Sequence, residues 1–112
     1  SEKLMCNSEC GCSKGLSQFK KFQKYFRALH CPIRWVIIRL LADKKLSTGE
    51  IYDMLKEAGE DISKSSLYYH LSELEEAGII GLVEYRETGG GAPEKVWELK
   101  IKQIKINFLE DL

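Results

Sequence analysis

Apolar positions along the chain fall first into helical steps and then into the alternation of strands. Phe19, Phe22, Phe26 and Leu29 recur every three or four residues between Ser17 and Leu29, with lysines on the other side, which predicts an amphipathic helix. Pro32 suits the first turn of a second helix, and Ile33, Val36, Ile37, Leu40 and Leu41 give it a stripe apolar enough for a central core helix. Ser47 or Thr48 can cap a third, whose Glu50 sits near the positive N-terminal end, whose inner face is Ile51, Met54 and Leu55, and which Gly59 ends. Ser63 can cap a fourth over "SSLYYHLSELEEAGII", residues 65–80, with Leu67, Leu71 and Leu74 turned inward and Gly78 as its left-handed C-cap.

The rest predicts strands. "GLVEYRE" and "EKVWELK" flank "TGGGAP", a run that cannot continue a strand but readily forms a hairpin tip, and Trp97, Leu99 and Ile101 fall on one face of the second strand. In the tail, Ile101, Ile104, Phe108 and Leu112 fit a helical stripe, while Ile104, Ile106 and Phe108 fit alternation; helix is the expectation, as a dimerisation element. The organisation is then a Cys-rich N-terminal segment (1–15), a folded domain (16–100) and a tail (101–112). The fold class is α+β, mostly α: a winged helix-turn-helix with a two-stranded wing, an extra N-terminal amphipathic helix and a Cys-rich N-terminal loop.

That arrangement answers a physical problem. An α-helix fits the DNA major groove with its N-terminal end on base edges, the preceding helix crosses the backbone, and a hairpin extends to flanking phosphate. The fourth helix carries donors, acceptors and stacking surfaces at its start, in Lys64, Ser65, Ser66, Tyr68 and Tyr69, and gathers Glu73, Glu75 and Glu76 at its far end. It is expected to dock by its N-terminus, with the acids turned from the duplex or toward the protein's own bases.

Charge sharpens the picture only through its distribution. The 112 residues carry a net charge of zero, yet Lys14 to Lys45 holds nine basic residues against Asp43, and Ser47 to Glu87 holds ten acids against Lys56, Lys64 and Arg86. A basic front half suits phosphate; solvated helix faces explain the same lysines equally well.

The stretch "HCPIRWVIIRLLADKKLSTGEIYDMLKEAG", through "SKSSLYYHLSELEEAGII", to "GGGAPEKVWEL", about residues 29–100, resembles the winged-helix transcriptional regulators of the ArsR type; its second half is also similar to the PadR type. The resemblance implies sequence-specific binding of double-stranded DNA as a homodimer, with repression relieved by an effector. It puts base-reading positions on Lys64, Ser66, Tyr68 and Tyr69, followed by His70, and phosphate contacts on Arg86 and Lys95; His70 as a core-edge residue hydrogen-bonded internally, and Tyr68 and Tyr69 packed partly against the second helix, are the alternatives. The metal-sensing members carry a cysteine motif at the reading helix, whereas "EDISKSSLYYHL" has none.

Cysteines occur instead as "CNSECGC" (Cys6, Cys10, Cys12) and as Cys31 beside His30. Three thiolates on a Gly-containing loop, with Cys31 as a fourth arm, can hold zinc or an iron-sulfur cluster. The C-x3-C-x-C spacing differs from the paired C-x2-C of zinc ribbons, so redox-active thiols, a disulfide or a plain tail stand beside that reading. Ligand binding there would act through the adjoining aromatic stripe, if the stripe is the dimer surface.

An enzyme is not expected: "GGG" lies between strands rather than before a helix, and no nucleophile-base or paired-carboxylate pattern falls on strand ends. With no apolar run near the ~20 residues that span a bilayer, no membrane partner and a cytoplasmic location are expected. The alternative to a regulator is a winged-helix module that docks onto protein, in metal handling or a transcription complex, without binding DNA. What separates the two is whether Lys64, Arg34, Arg39, Arg86 and Lys95 share a face with the start of the fourth helix.

Overall fold

A computed structural model describes residues 13–87 and 89–109, with side chains at 20, 22–87 and 89–109. Four helices and three strands follow in the order α1 (Ser13–Ala28), α2 (Pro32–Leu40), β1 (Leu46–Ser47), α3 (Thr48–Glu57), α4 (Lys64–Glu76), β2 (Ile80–Arg86) and β3 (Glu94–Leu99). The strands form one antiparallel sheet in the order β1-β3-β2. The fold is the expected winged helix-turn-helix, with β1 added to the wing: two residues are too few to show a period in sequence.

The core is built from the expected stripes. Ile37 and Leu41 of the second helical segment, Ile51 and Leu55 of α3, and Leu67, Leu71 and Leu74 of α4 are all buried, and Ile79, Ile80 and Trp97 close the cluster from the sheet. The expected second-helix stripe is less uniform than its hydropathy: Ile33, Val36 and Leu40 are half-buried, and Arg34 is buried in their midst. Of the side chains described in α1, Ala28 alone is buried.

Trp97 joins sheet to helix. In register it faces Leu46 on one side and Leu82 on the other, and its indole Nε1 donates to Thr48 Oγ1 at 2.9 Å at the start of α3. Neighbouring residues of a strand point to opposite faces, so the burial of both Val96 and Trp97 means that β3, the middle strand, is covered on both faces there. An irregularity between Leu82 and Glu84 leaves Val83 without a cross-strand partner and re-aims the outer wing, where Arg86 pairs with Glu94.

Local chemistry sets the helix ends. Ser47 caps α3 in a full capping box: its Oγ accepts from Glu50 N at 3.1 Å, and Glu50 Oε1 accepts from Ser47 N at 2.8 Å. Ser63 Oγ accepts from Ser66 N at 3.1 Å to cap α4, and Gly78 follows it at φ +80°, where a Cβ would be strained. The end of α1 is closed from α2. Trp35 Nε1 donates to Leu29 O at 2.7 Å, and Arg34 Nη1 donates to Ala28 O at 3.1 Å, so carbonyls that the helix cannot satisfy are taken by side chains.

Replacing Ser47 by alanine is expected to cost about 1 kcal/mol in urea unfolding at neutral pH. The Glu50 carboxyl lies below its ordinary value, chiefly through the Ser47 amide, against a smaller opposing effect of burial, with the Arg86 charge also lowering it. A carboxyl lowered on folding contributes stability above the ordinary carboxylate range and loses it as pH falls through the folded value. The difference between wild type and Glu50→Gln, which leaves the Ser47 amide in place, should therefore shrink in acid. A difference that stays constant down to pH ~3 would dissociate Glu50 from the cap.

The tail departs from expectation. Ile101 through Asn107 form neither helix nor strand, although backbone bonds from Lys100 N and Ile101 N to Ile79 O fasten its start. Ile101 packs on the core, but Phe108 and Leu109 are exposed, so neither period finds an apolar surface to cover and no C-terminal helix forms in the described residues.

Candidate nucleic-acid interface

The start of α4 projects from the domain. Lys64, Ser65 and Ser66 are exposed, and Tyr68 and Tyr69 are 57% and 58% exposed, far more than aromatic side chains serving a core. The inward stripe of Leu67, Leu71 and Leu74 fixes this, because Lys64, Ser65, Tyr68 and Tyr69 fall off that stripe.

Lys64 and Tyr68, one turn apart, line a groove between α3, α4 and the wing, and Lys95 of β3 lines it from the far side. The groove holds about 740 Å³, over a floor of Leu67, Leu71 and Trp97. The lysines rest on aromatic faces, Lys64 Nζ 5.4 Å from the Tyr52 ring and Lys95 Nζ 5.8 Å from the Trp97 ring. Glu75 and Glu94 also line it. The Glu94 carboxylate accepts from Gly49 N at the start of α3, and is thereby turned to the protein's own backbone.

The remaining expected residues are placed elsewhere. Tyr69 lies outside the groove, its ring 5.5 Å from the Arg34 guanidinium carbon and 5.7 Å from the His70 ring. Arg86 is held by Glu50 Oε1 at 3.4 Å and lies 4.0 Å from Glu84 Oε2, so its charge is already partly answered. Glu73 and Glu76 line a shallow cleft with Lys24 and Arg27 of α1, away from the groove, whereas Glu75 faces into it. Of the five cations whose common face separates a DNA reader from a docking module, Lys64 and Lys95 share one. Arg34 does not: it is 2% exposed, with Nε donating to His70 Nδ1 at 3.0 Å. A pairing 36 residues apart leaves no local trace in sequence, and the only signal was an arginine inside an apolar stripe.

Cys6, Cys10 and Cys12 lie outside the described residues, and among the described residues no group of three or more metal-ligating side chains occurs. Cys31 is half-buried at the N-cap of α2. Its Sγ is 3.8 Å from His30 Nε2, and His30 Nδ1–H donates to Arg27 O at 2.7 Å, which fixes the tautomer and leaves Nε2 as the acceptor beside the sulfur.

Residues 29–83 match the family model of a helix-turn-helix domain. Solved structures agree over more of the chain. Rv0081 of M. tuberculosis is 24% identical over 74% of this chain and 73% of its own, with a TM-score of 0.55. The transcriptional regulator HlyU from Vibrio vulnificus CMCP6 is 21% identical over 77% of this chain and 78% of its own, with a TM-score of 0.54. The chain has the winged helix-turn-helix fold. The ferric uptake regulator from Pseudomonas aeruginosa, solved with manganese, is 26% identical over 75% of this chain, which spans 60% of that protein, with a TM-score of 0.54. No curated protein matches the chain in sequence. The helix-turn-helix match and these solved structures agree on the winged helix-turn-helix fold. No helix among its described residues is long and apolar enough to cross a membrane.

Proposed function

We propose that the protein is a sequence-specific transcription regulator, a repressor that binds double-stranded DNA as a homodimer and reads it with α4. The observation that carries this is the meeting of Lys64 and Tyr68 from the start of α4 with Lys95 from the wing around one groove, beside an exposed capped helix end. Ser65, Ser66 and Tyr69 extend the reading surface over the remaining exposed half of the helix start, and Arg86 serves flanking phosphate by exchanging Glu50 for it. The dimer reading is supported by α1, where Phe26 is 41% exposed, and by Trp35 of α2 at 52%. Two-fold pairing there sets the spacing of two reading helices, which successive major grooves require to be about 34 Å.

The N-terminal thiols are the proposed input. Cys6, Cys10 and Cys12, joined by Cys31, would hold zinc or an iron-sulfur cluster, with the oriented His30 as a further donor at Cys31; when bound, such a group would cross-link the N-terminal segment to the α1–α2 corner. Redox-active thiols would serve the same input without a metal.

A second reading is favoured by Glu75 and Glu94, which line the groove beside the lysines. A mixed-charge groove also suits a protein partner, in which case the chain docks without DNA. One experiment separates the readings: anisotropy of labelled promoter DNA with anaerobically purified protein, titrated with salt, before and after chelation. Specific binding that weakens roughly tenfold in Tyr68→Ala, with an unchanged circular dichroism spectrum, is the expected result. A change in specific affinity on chelation ties the thiols to it. Absence of specific binding in both states would replace the regulator by the docking module.

A further inference from the structure

Among the described residues Arg34 is the one buried charge. Its guanidinium is held at three points. Nη1 donates to Ala28 O at 3.1 Å and to Arg27 O at 3.5 Å, in the last turn of α1 where the helix dipole is negative, and Nε donates to His70 Nδ1 at 3.0 Å on α4. The Tyr69 ring lies against the same guanidinium. One side chain of α2 thus ties the end of α1 to the exposed half of α4.

The bond to His70 exists in one protonation state only. Arginine is a donor at every accessible pH, so Nδ1 must offer a lone pair, which requires a neutral imidazole with its proton on Nε2. Adding the second proton would set N–H against N–H and place a new positive charge beside a buried guanidinium. Burial of the imidazole and, after it, the Arg34 charge oppose that protonation and hold His70 below the ordinary histidine range. The other charged groups nearby are Glu73, one turn along α4, and Lys24 and Arg27 of α1, which share a cleft with Glu73 and Glu76.

We propose that Arg34 is a positioning residue for the reading helix, and that its bond to His70 is a pH-released lock that fixes α4 and Tyr69 to the end of α1 while the imidazole is neutral and frees them when it takes a proton. The consequence for DNA rests on α4 being the reading helix; the lock itself does not. Because α1 is the proposed dimer helix, the lock also passes the geometry of the interface to the reading surface. Affinity is full where His70 is neutral and falls as pH drops through its lowered titration.

The test compares wild type with His70→Asn, whose side-chain oxygen falls near the Nδ1 position and does not titrate, with His70→Gln taking its place should His70→Asn fail to fold. Promoter affinity is followed by anisotropy at constant ionic strength from about pH 8 to about pH 5, with circular dichroism on each sample. Acidification should weaken DNA binding by the wild type roughly tenfold more than binding by His70→Asn, the worth of one charge-assisted hydrogen bond. Equal loss in both proteins overturns the proposal. Without DNA, nitrogen shifts of the His70 ring and the Tyr69 ring signals read the lock directly: Nδ1 should be unprotonated at neutral pH, and Tyr69 should follow the His70 titration. Tyr69 signals indifferent to it overturn the lock whether or not DNA binds, whereas a lock intact by these signals with no DNA bound at any pH overturns only the reading of α4.

Discussion

Replacing Trp97 by alanine is expected to cost about 3–5 kcal/mol, a large share of the roughly 5–15 kcal/mol by which a folded domain is stable. The indole is 4% exposed and flanked in register by Leu46 and Leu82, so truncation opens a large void where the sheet meets α3. The loss is not only of volume. Thr48 Oγ1 accepts from Trp97 Nε1 at 2.9 Å and itself donates to Lys95 O at 3.4 Å, so removing the indole strips a buried hydroxyl of one partner at that same junction. Trp97→Phe separates the two effects: it retains most of the apolar contact and should cost roughly 1–3 kcal/mol, the penalty of the orphaned polar group with a small cavity. Urea unfolding followed by circular dichroism measures both. A midpoint unmoved in Trp97→Ala would mean that the sheet is held to α3 by other contacts, and that the groove floor is not what fixes Lys95 opposite Lys64.

The parts of the fold that were legible in sequence are those decided within one or two turns. Ser63 and Gly78 bracket α4 because a hydroxyl satisfies an amide three residues on and a glycine tolerates φ of +80°; both are local consequences of residue type. The inward stripe of Leu67, Leu71 and Leu74 likewise dictated that Lys64, Tyr68 and Tyr69 face outward. What was hidden is what packing decides. Arg34 reads as one more cation of a basic segment, and only the approach of α4 to the end of α1 turns it into a buried link to His70. Arg86 reads as a phosphate contact, and the pairing of wing with α3 gives it Glu50 as a neighbour. The tail carried two competing periods, and it follows neither because no apolar surface lies beside its outer half.

Reversing both groove lysines, Lys64→Glu with Lys95→Glu, is expected to lower affinity for promoter DNA on the order of a hundredfold, two charge-assisted contacts at roughly 1.5 kcal/mol each, before repulsion is added. The salt dependence carries the sharper signal. Each phosphate neutralised by a lysine contributes about −0.9 to the slope of log affinity against log salt concentration, so even the neutral pair Lys64→Gln with Lys95→Gln should flatten the slope by about two. Loss of fold is not a route to the same result. Lys64 is the first residue of α4, where a glutamate meets the positive end of the helix dipole, and both lysines are exposed. Arg86→Gln supplies the comparison. Because Glu50 already engages its guanidinium at 3.4 Å, a phosphate must displace that partner, and the net loss should be smaller than for either lysine. If instead the slope is unchanged in the lysine pair while Arg86→Gln flattens it, the duplex tracks the outer wing and the α3 end rather than the groove, and the roles of Lys64 and Lys95 pass to the aromatic faces they cover at Tyr52 and Trp97.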